Sequence, residues 1–473
     1  MFLTIAILLT AAASMVGLFN WRLGLLLLIA LAAVQDPLRK LVPGTPGWMA
    51  LMTAPVFLAS TLASMVTVRA WWLDFARQCP RIALPITLLV LLSLPSAVVS
   101  ATYGEGSWML TILGAFSYSV IFMAVICGFH FARRGIDIRT LLSTYCVIHG
   151  ALLIGSYLEY FQLFDHWLIL SDKALGFQWV RHQFGYVVTF IAGFYRSGDV
   201  MGWHAAAVAC LSITLSLNAK DRSRWLWIGL AAFATGALLL CGRRKMVYML
   251  PVFLLALGWL HWQIRKPGRL LSIIVLLSIP AVSLVLLSDR LGEDVNAIRY
   301  YKDTAGESFE TLEGHGFDEV LATVAQNGFL GTGLGTATPG SHHLKVERPR
   351  NWQESGSSRV VAELGIPGAF GFLLVMLGIV LTAWRFTRLA LLHQSPYAPT
   401  ATGLLAFFIA NVASLTVSGQ ILADPFIAAF LGIMVGLLLS IVRLPPDVYA
   451  SRLARPSDEL EPNGVGRPEP AAR

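Results

Sequence analysis

Charge is scarce in this sequence. Asp, Glu, Lys and Arg together make up 13% of its 473 residues, while 56% are hydrophobic; soluble domains carry roughly 25% charged residues. That balance excludes a water-soluble globular chain of this length. Cysteine is sparse as well. Four of the five (Cys127, Cys146, Cys210 and Cys241) fall within apolar runs or at their ends, and Cys79 sits in a basic loop. With no CxxC pair, neither a disulfide framework nor a cysteine zinc site is specified. Acidic clusters with metal-ligand spacing are missing, which points to chemistry without a metal. The glycines at 328, 331, 333 and 335 fail the spacing and context of a dinucleotide loop, so no cofactor is expected. Strict apolar–polar alternation is absent, which argues against a β-barrel. There is no internal repeat and few charges lie mid-span, against a transporter built of related halves. No basic segment or cleavage pattern marks the first 19 residues, so they read as a first span rather than a leader.

What is present is a series of apolar runs, each about 17–25 residues long. Spans are expected near 2–19, 21–35, 46–66, 83–101, 108–131, 140–160, 200–217, 225–241, 246–262, 270–288, 360–383, 401–417 and 421–442. The first two are short enough to be one broken element, so the count is twelve or thirteen. The fold class is therefore all-α, a polytopic helical membrane protein in the lipid bilayer. Mean hydropathy is +0.67. The formal net charge of +8 is a topology signal and does not imply nucleic acid as a partner. Loops carrying Arg69, Arg77 and Arg81, Arg133, Arg134 and Arg139, Lys220, Arg222 and Arg224, Arg265, Lys266 and Arg269, and Arg385 and Arg388 read as cytoplasmic, as does the chain after Arg443. They alternate with a loop at 102–106 and a turn at 418–420 that hold no Lys or Arg. Arg39 and Lys40 fall on the outer side and break this rule. The chain divides into N-terminal spans (1–160), a central membrane region (161–288) with outer segments 161–199 and 242–245, a large outer loop (289–359), C-terminal spans (360–442) and a disordered tail (443–473).

The segment 242–245 carries Arg243, Arg244 and Lys245 on the outer face, where cations are normally rare. Holding an anion at the membrane surface explains that placement. Arg196, ahead of a Ser-Gly-Asp turn, is either a snorkelling residue or a phosphate ligand. His204 fits an interhelical hydrogen bond better than a ligand. In the outer loop, 307–326 has helical spacing, with Phe309, Leu312, Phe317, Val320, Leu321 and Val324 on one side. Glu354 and Ser358 share a helix face, as do Arg359 and Glu363. The second pair is either an ion pair that orients the loop or part of a site. Gly365-Ile366-Pro367-Gly368 marks a break in the helix that returns to the bilayer.

Three elements, CGRRKMVYML at 241–250, GFLGTGLG at 328–335 and ESGSSRVVAELG at 354–365, make the chain resemble the O-antigen ligase and polymerase family. These are lipid-linked glycan transferases of the bacterial inner membrane. The last element parallels the pattern H-N-x-x-L-x-x-L-x-E-x-G. Glu354 stands at the family's histidine, Ser355 at its asparagine and Ser358 at its first leucine, while Glu363 and Gly365 match. The resemblance implies a GT-C-like membrane fold and a periplasmic active site. It implies a donor glycan on undecaprenyl pyrophosphate, with other polysaccharide assembly proteins as partners. Arg196, Arg243, Arg244, Lys245, Arg299 and Arg359 become candidates to hold the pyrophosphate. Glu354 is the candidate base, with His342, His343 and His315 as alternates; Glu363 and Gly365 orient the site. A repeat-unit polymerase is favoured over a ligase that passes glycan to lipid A core or protein, because the family histidine is replaced. A flippase-type transporter or a non-catalytic scaffold is the reading from another class.

Overall fold

A backbone in hydrocarbon must satisfy its own N–H and C=O groups, so long Leu-, Ala- and Val-rich runs close into helices. The computed structural model describes residues 1–176, 180–183, 185–219, 222–262, 296–304, 318–344, 346, 353 and 355–444. Among them, twelve helices are long and apolar enough to cross a membrane. Their helical cores are α1 (Phe2–Phe19), α2 (Trp21–Leu41), α3 (Thr53–Thr67), α4 (Pro80–Ala101), α5 (Trp108–Phe131), α6 (Gly135–Leu152), α7 (Gly198–Asn218), α8 (Ser223–Leu240), α9 (Met249–Trp262), α10 (Gly356–Leu392), α11 (Ala398–Val417) and α12 (Pro425–Ser440). The expected span at 270–288, the loop helix before residue 318 and the tail from 445 lie outside the described residues. The chain is a multi-pass, all-α membrane protein.

Its layers follow from composition. The best-buried helices are α7 and α12, 94% and 89% buried along their apolar windows, whereas α1 is only 11% buried. Helix α7 is rich in small residues, with Ala205, Ala206, Ala207 and Ala209 all inaccessible, and small residues let helices approach closely in lipid. Helices α5 and α12 meet in the same way: a Cβ on Gly128 or Gly436 would collide with the carbonyl of Ile433 or Val125 opposite. By contrast α1 and α4 leave Leu8, Leu84, Val90, Leu91 and Val98 exposed. In water so much exposed apolar surface would aggregate, and in lipid it faces its own solvent.

The two ends of the bundle differ. At one, Arg22 donates from Nε and Nη2 to the carbonyls of Phe131 and His130, both at 2.9 Å, and Arg443 pairs with Asp74 at 3.3 Å. At the other end of α2 stand Asp36, Arg39 and Lys40, and there the polar segments gather. A hairpin of β1 (Val180–Gln183) and β2 (Tyr186–Thr189) lies in the 161–199 segment, antiparallel, with Val180 opposite Thr189 and Gln183 opposite Tyr186. Strand was not expected there, because four residues are too few to show alternation. Helix α10 runs on to Leu392, past the expected end at 383, and carries Arg385 and Arg388, whose long stems suit the edge of an apolar layer. In the loop helix Glu319–Asn327 Thr323 is buried, Val320 and Val324 are half-buried, and Leu321 is exposed.

Candidate functional site

The site begins at a break in α10. Gly365 has φ 64° and ψ −174°, a conformation that a side chain would strain. The backbone there changes partners. Ile366 N donates to Phe329 O at 2.9 Å, and Ala362 O accepts Thr332 N at 2.7 Å. Pro367 has no N–H to offer the carbonyl of Glu363, and the Ser96 hydroxyl donates to it instead. The glycine-rich stretch 328–335 thus completes the hydrogen bonding of a broken helix. Three of its glycines, Gly331, Gly333 and Gly335, are required by contact: a Cβ on Gly333 would lie 2.7 Å from Ser100 N, and one on Gly331 would lie 2.5 Å from Ala362 O.

Glu363 and Arg359 fix the next residues. The Glu363 carboxylate accepts Ala337 N at 2.8 Å and the Thr338 hydroxyl at 2.7 Å. Arg359 donates from Nη2 to Thr338 Oγ1 and Ser117 Oγ, both at 2.9 Å, and its Nε lies 3.5 Å from Glu363 Oε2. Both side chains are buried. The pair orients the loop, one of the two roles the spacing allowed. Beyond Thr338 the chain turns through Pro339 and Gly340 to His342 and His343, whose ring centroids are 4.0 Å apart.

A second support comes from α2. Arg196, in the link before α7, is tied to Asp36 through its backbone N (3.1 Å) and through Nη1 (3.4 Å), and through Nη2 to Asp424. Asp424 also caps α12 by accepting Phe426 N at 2.8 Å and Ile427 N at 3.1 Å. Burial disfavours the guanidinium charge, yet the carboxylates of Asp424 and Asp36 outweigh it and hold the Arg196 pKa above its ordinary value. Next to this tie, Lys40 Nζ donates to Gly193 O at 2.8 Å, while Glu159 accepts Ala192 N and Gly193 N at 2.9 and 2.5 Å. Lys40, one of the two cations that broke the expected orientation rule, therefore stands beside the segment that positions Arg196.

Between these supports opens a cleft of about 780 Å³. Its polar lining is Arg39, Arg196, His342 and His343; its walls include Trp48, Leu51, Trp108, Met109 and Ile112, all exposed apolar side chains. His343 lies against the backbone of Gly47, where a Cβ would stand 3.2 Å from Nε2. The cleft thus pairs an apolar wall with a short row of cationic and imidazole groups.

The triplet at 243–245 belongs to a separate cluster. Arg243 pairs with Asp199 at 3.0 Å and Lys245 with the same carboxylate at 3.5 Å; Arg243 also lies over the Phe190 ring, 4.0 Å from its centroid. Arg244 donates to Thr304 O at 2.9 Å and faces the ring of Tyr300. Tyr300 is buried with Val188 and Phe190, so the turn, the hairpin and the helix Asn296–Asp303 form one unit. Arg299 sits on that helix, exposed, 3.7 Å from Asp303.

Of the expected site residues, Arg196, His342 and His343 therefore share the cleft. Arg243, Arg244, Lys245 and Arg299 form the neighbouring cluster, and Arg359, Glu363 and Gly365 build the support. Glu354 and His315 lie outside the described residues. His204 makes the expected interhelical bond, with Tyr145 Oη 2.9 Å from its Nδ1. Asp36, Asp424 and Arg39 were missed; the one available signal was the misplacement of Arg39 and Lys40. In comparisons with known proteins, no family model matches the chain and no curated protein matches it.

Proposed function

We propose that the protein transfers a glycan from undecaprenyl pyrophosphate at the periplasmic face of the bacterial inner membrane, as a repeat-unit polymerase. The observation that carries this reading is the cleft, in which exposed apolar walls lead to two arginines and two histidines. Such a surface suits an amphiphile with a long apolar tail and an anionic head. The tail would lie along Trp48, Leu51, Trp108 and Ile112, and the head near Arg39 and Arg196. In the transfer, the acceptor hydroxyl gives its proton to a base and its oxygen attacks the anomeric carbon. The bond from that carbon to the pyrophosphate oxygen breaks, and fixed guanidinium groups balance the charge that develops on the leaving group. His343, inside the cleft, is the base favoured by position; Glu354 is the base favoured by the family pattern.

The test is turnover of a purified lipid-linked repeat unit in liposomes, followed by gel analysis of product length. Wild type should yield a ladder. His343→Ala and Glu354→Gln, measured side by side, should separate the bases, since the true one loses about 10²–10⁴-fold in rate. Movement of the lipid-linked glycan across the bilayer with no new glycosidic bond would replace this reading with transport.

A further inference from the structure

The two arginines of the cleft differ in what already holds them. Arg196 is engaged by two carboxylates, Asp36 and Asp424, both buried. An anion approaching Arg196 must compete with two fixed negative charges for one guanidinium. Arg39 stands one helical turn beyond Asp36 and is half-buried. Among the described residues its only hydrogen bond is from Nε to Thr45 O at 3.3 Å. Both terminal nitrogens are left without a hydrogen-bond partner there. The turn that supplies the Thr45 carbonyl is held in left-handed backbone, with φ of 75° at Gly44 and 38° at Thr45, a conformation that a threonine adopts at a cost.

We propose that Arg39 is the anion ligand of the cleft, its terminal nitrogens taking the phosphate of a prenyl-pyrophosphate headgroup, while Arg196 ties the cleft wall together. The inference rests on the lipid-pyrophosphate reading of the cleft. Charge alone does not select the ligand, because Arg39 and Arg196 are matched by Asp36 and Asp424. Selection comes from directed donors: a guanidinium fixed at Nε offers a planar pair of N–H groups, the geometry that grips two phosphate oxygens. The apolar walls commit the occupant to a phosphate that carries a tail.

The experiment measures binding of three probes to the purified full-length protein in nanodiscs: farnesyl pyrophosphate, farnesol and inorganic pyrophosphate. Proteins are wild type, Arg39→Ala and Arg39→Gln. The glutamine keeps the stem and a donor for Thr45 O, so it guards against simple misfolding, and the melting temperature of each variant checks this directly. Wild type should bind farnesyl pyrophosphate more tightly than farnesol or pyrophosphate alone. Both variants should weaken the farnesyl pyrophosphate complex on the order of 10–100-fold, leave farnesol unchanged, and keep the wild-type melting temperature within a few degrees. Unchanged farnesyl pyrophosphate affinity in both variants overturns the role of Arg39 and leaves the pyrophosphate-donor reading standing. Wild type that holds farnesyl pyrophosphate no better than farnesol overturns both. Tight inorganic pyrophosphate binding that depends on Arg39, with no gain from the tail, overturns the prenyl ligand in favour of a free anion. Arg39-dependent farnesyl pyrophosphate binding without turnover of the lipid-linked repeat unit keeps the inference and removes glycosyl transfer.

Discussion

The cleft and the basic turn at 242–245 both hold cations at the same end of the bundle, and they hold them differently. In the turn, Arg243 and Lys245 share Asp199, and Arg244 reaches the Thr304 carbonyl and the face of Tyr300. There cations join the turn, the hairpin and the helix Asn296–Asp303. In the cleft, one arginine is bound between two aspartates, and another keeps its terminal donors open among the described residues, beside apolar walls. Cation density therefore does not locate an anion site by itself. What separates the two regions is how many donors each arginine has already spent on the fold, and whether an apolar surface adjoins them.

The largest expected effect lies at the committed arginine. Arg196→Ala leaves Asp36 and Asp424 buried without their shared cation, and breaking a buried pair in this way costs about 3–5 kcal/mol. The melting temperature in detergent should fall steeply, and Arg196→Lys, which cannot reach both carboxylates in one plane, should recover only part of it. A stable Arg196→Ala protein that has lost only ligand binding would reverse the roles assigned to Arg196 and Arg39.

The second effect concerns the loop that carries the histidines. Gly365→Ala puts a Cβ 2.5 Å from the Leu330 carbonyl carbon at a positive φ, a strain of about 1–3 kcal/mol. Because the glycine stretch and the broken helix share hydrogen bonds, the displaced part is the segment leading to His342 and His343. Turnover should fall more than farnesyl pyrophosphate affinity, if that affinity rests on Arg39 of α2 as proposed. Equal losses in both would mean that the anion and the histidines rest on one support.

These residues also show what the sequence made legible. Spans at 2–19 and 108–131 coincide with α1 and α5, because a run of apolar residues in lipid has one low-energy backbone form. The break near Gly365 was legible because glycine and proline restrict the backbone locally. The Arg359–Glu363 pair follows from i,i+4 spacing, but its partners Ser117 and Thr338 do not. The ties of Arg196 reach Asp36 and Asp424, 160 and 228 positions away, and no local period encodes such a contact. Arg39 was visible only as a charge on the wrong side, the same clue that drew attention to Arg243, and the clue carries no information on which cation stays open.

A smaller effect belongs to the apolar wall. Trp108 is exposed and lines the cleft. If a tail lies along it as proposed, Trp108→Ala should weaken farnesol and farnesyl pyrophosphate alike by about 1–2 kcal/mol, roughly 5–30-fold. A loss confined to the pyrophosphate probe would place the tail elsewhere and leave the cleft as a headgroup site alone.

The smallest effect is expected at the turn, where the comparison is most exposed to failure. Arg243→Ala removes one of two cations from Asp199, and Lys245 remains on the same carboxylate. A partly solvated pair with a substitute in place is worth about 1 kcal/mol or less, so folding should change little. If the pyrophosphate binds in the cleft, farnesyl pyrophosphate affinity should stay within about threefold of wild type, under 1 kcal/mol. Arg244→Ala should behave similarly in binding, with a somewhat larger loss of stability because its hydrogen bond anchors the helix that ends at Asp303. The family pattern gives the opposite expectation, a loss of about 2–5 kcal/mol at a true phosphate ligand. Titrating the two turn variants and Arg39→Gln in parallel decides between the regions. A large loss at Arg243 with none at Arg39 would move the anion to the turn, and would mean that Asp199 surrenders its cations when the donor arrives.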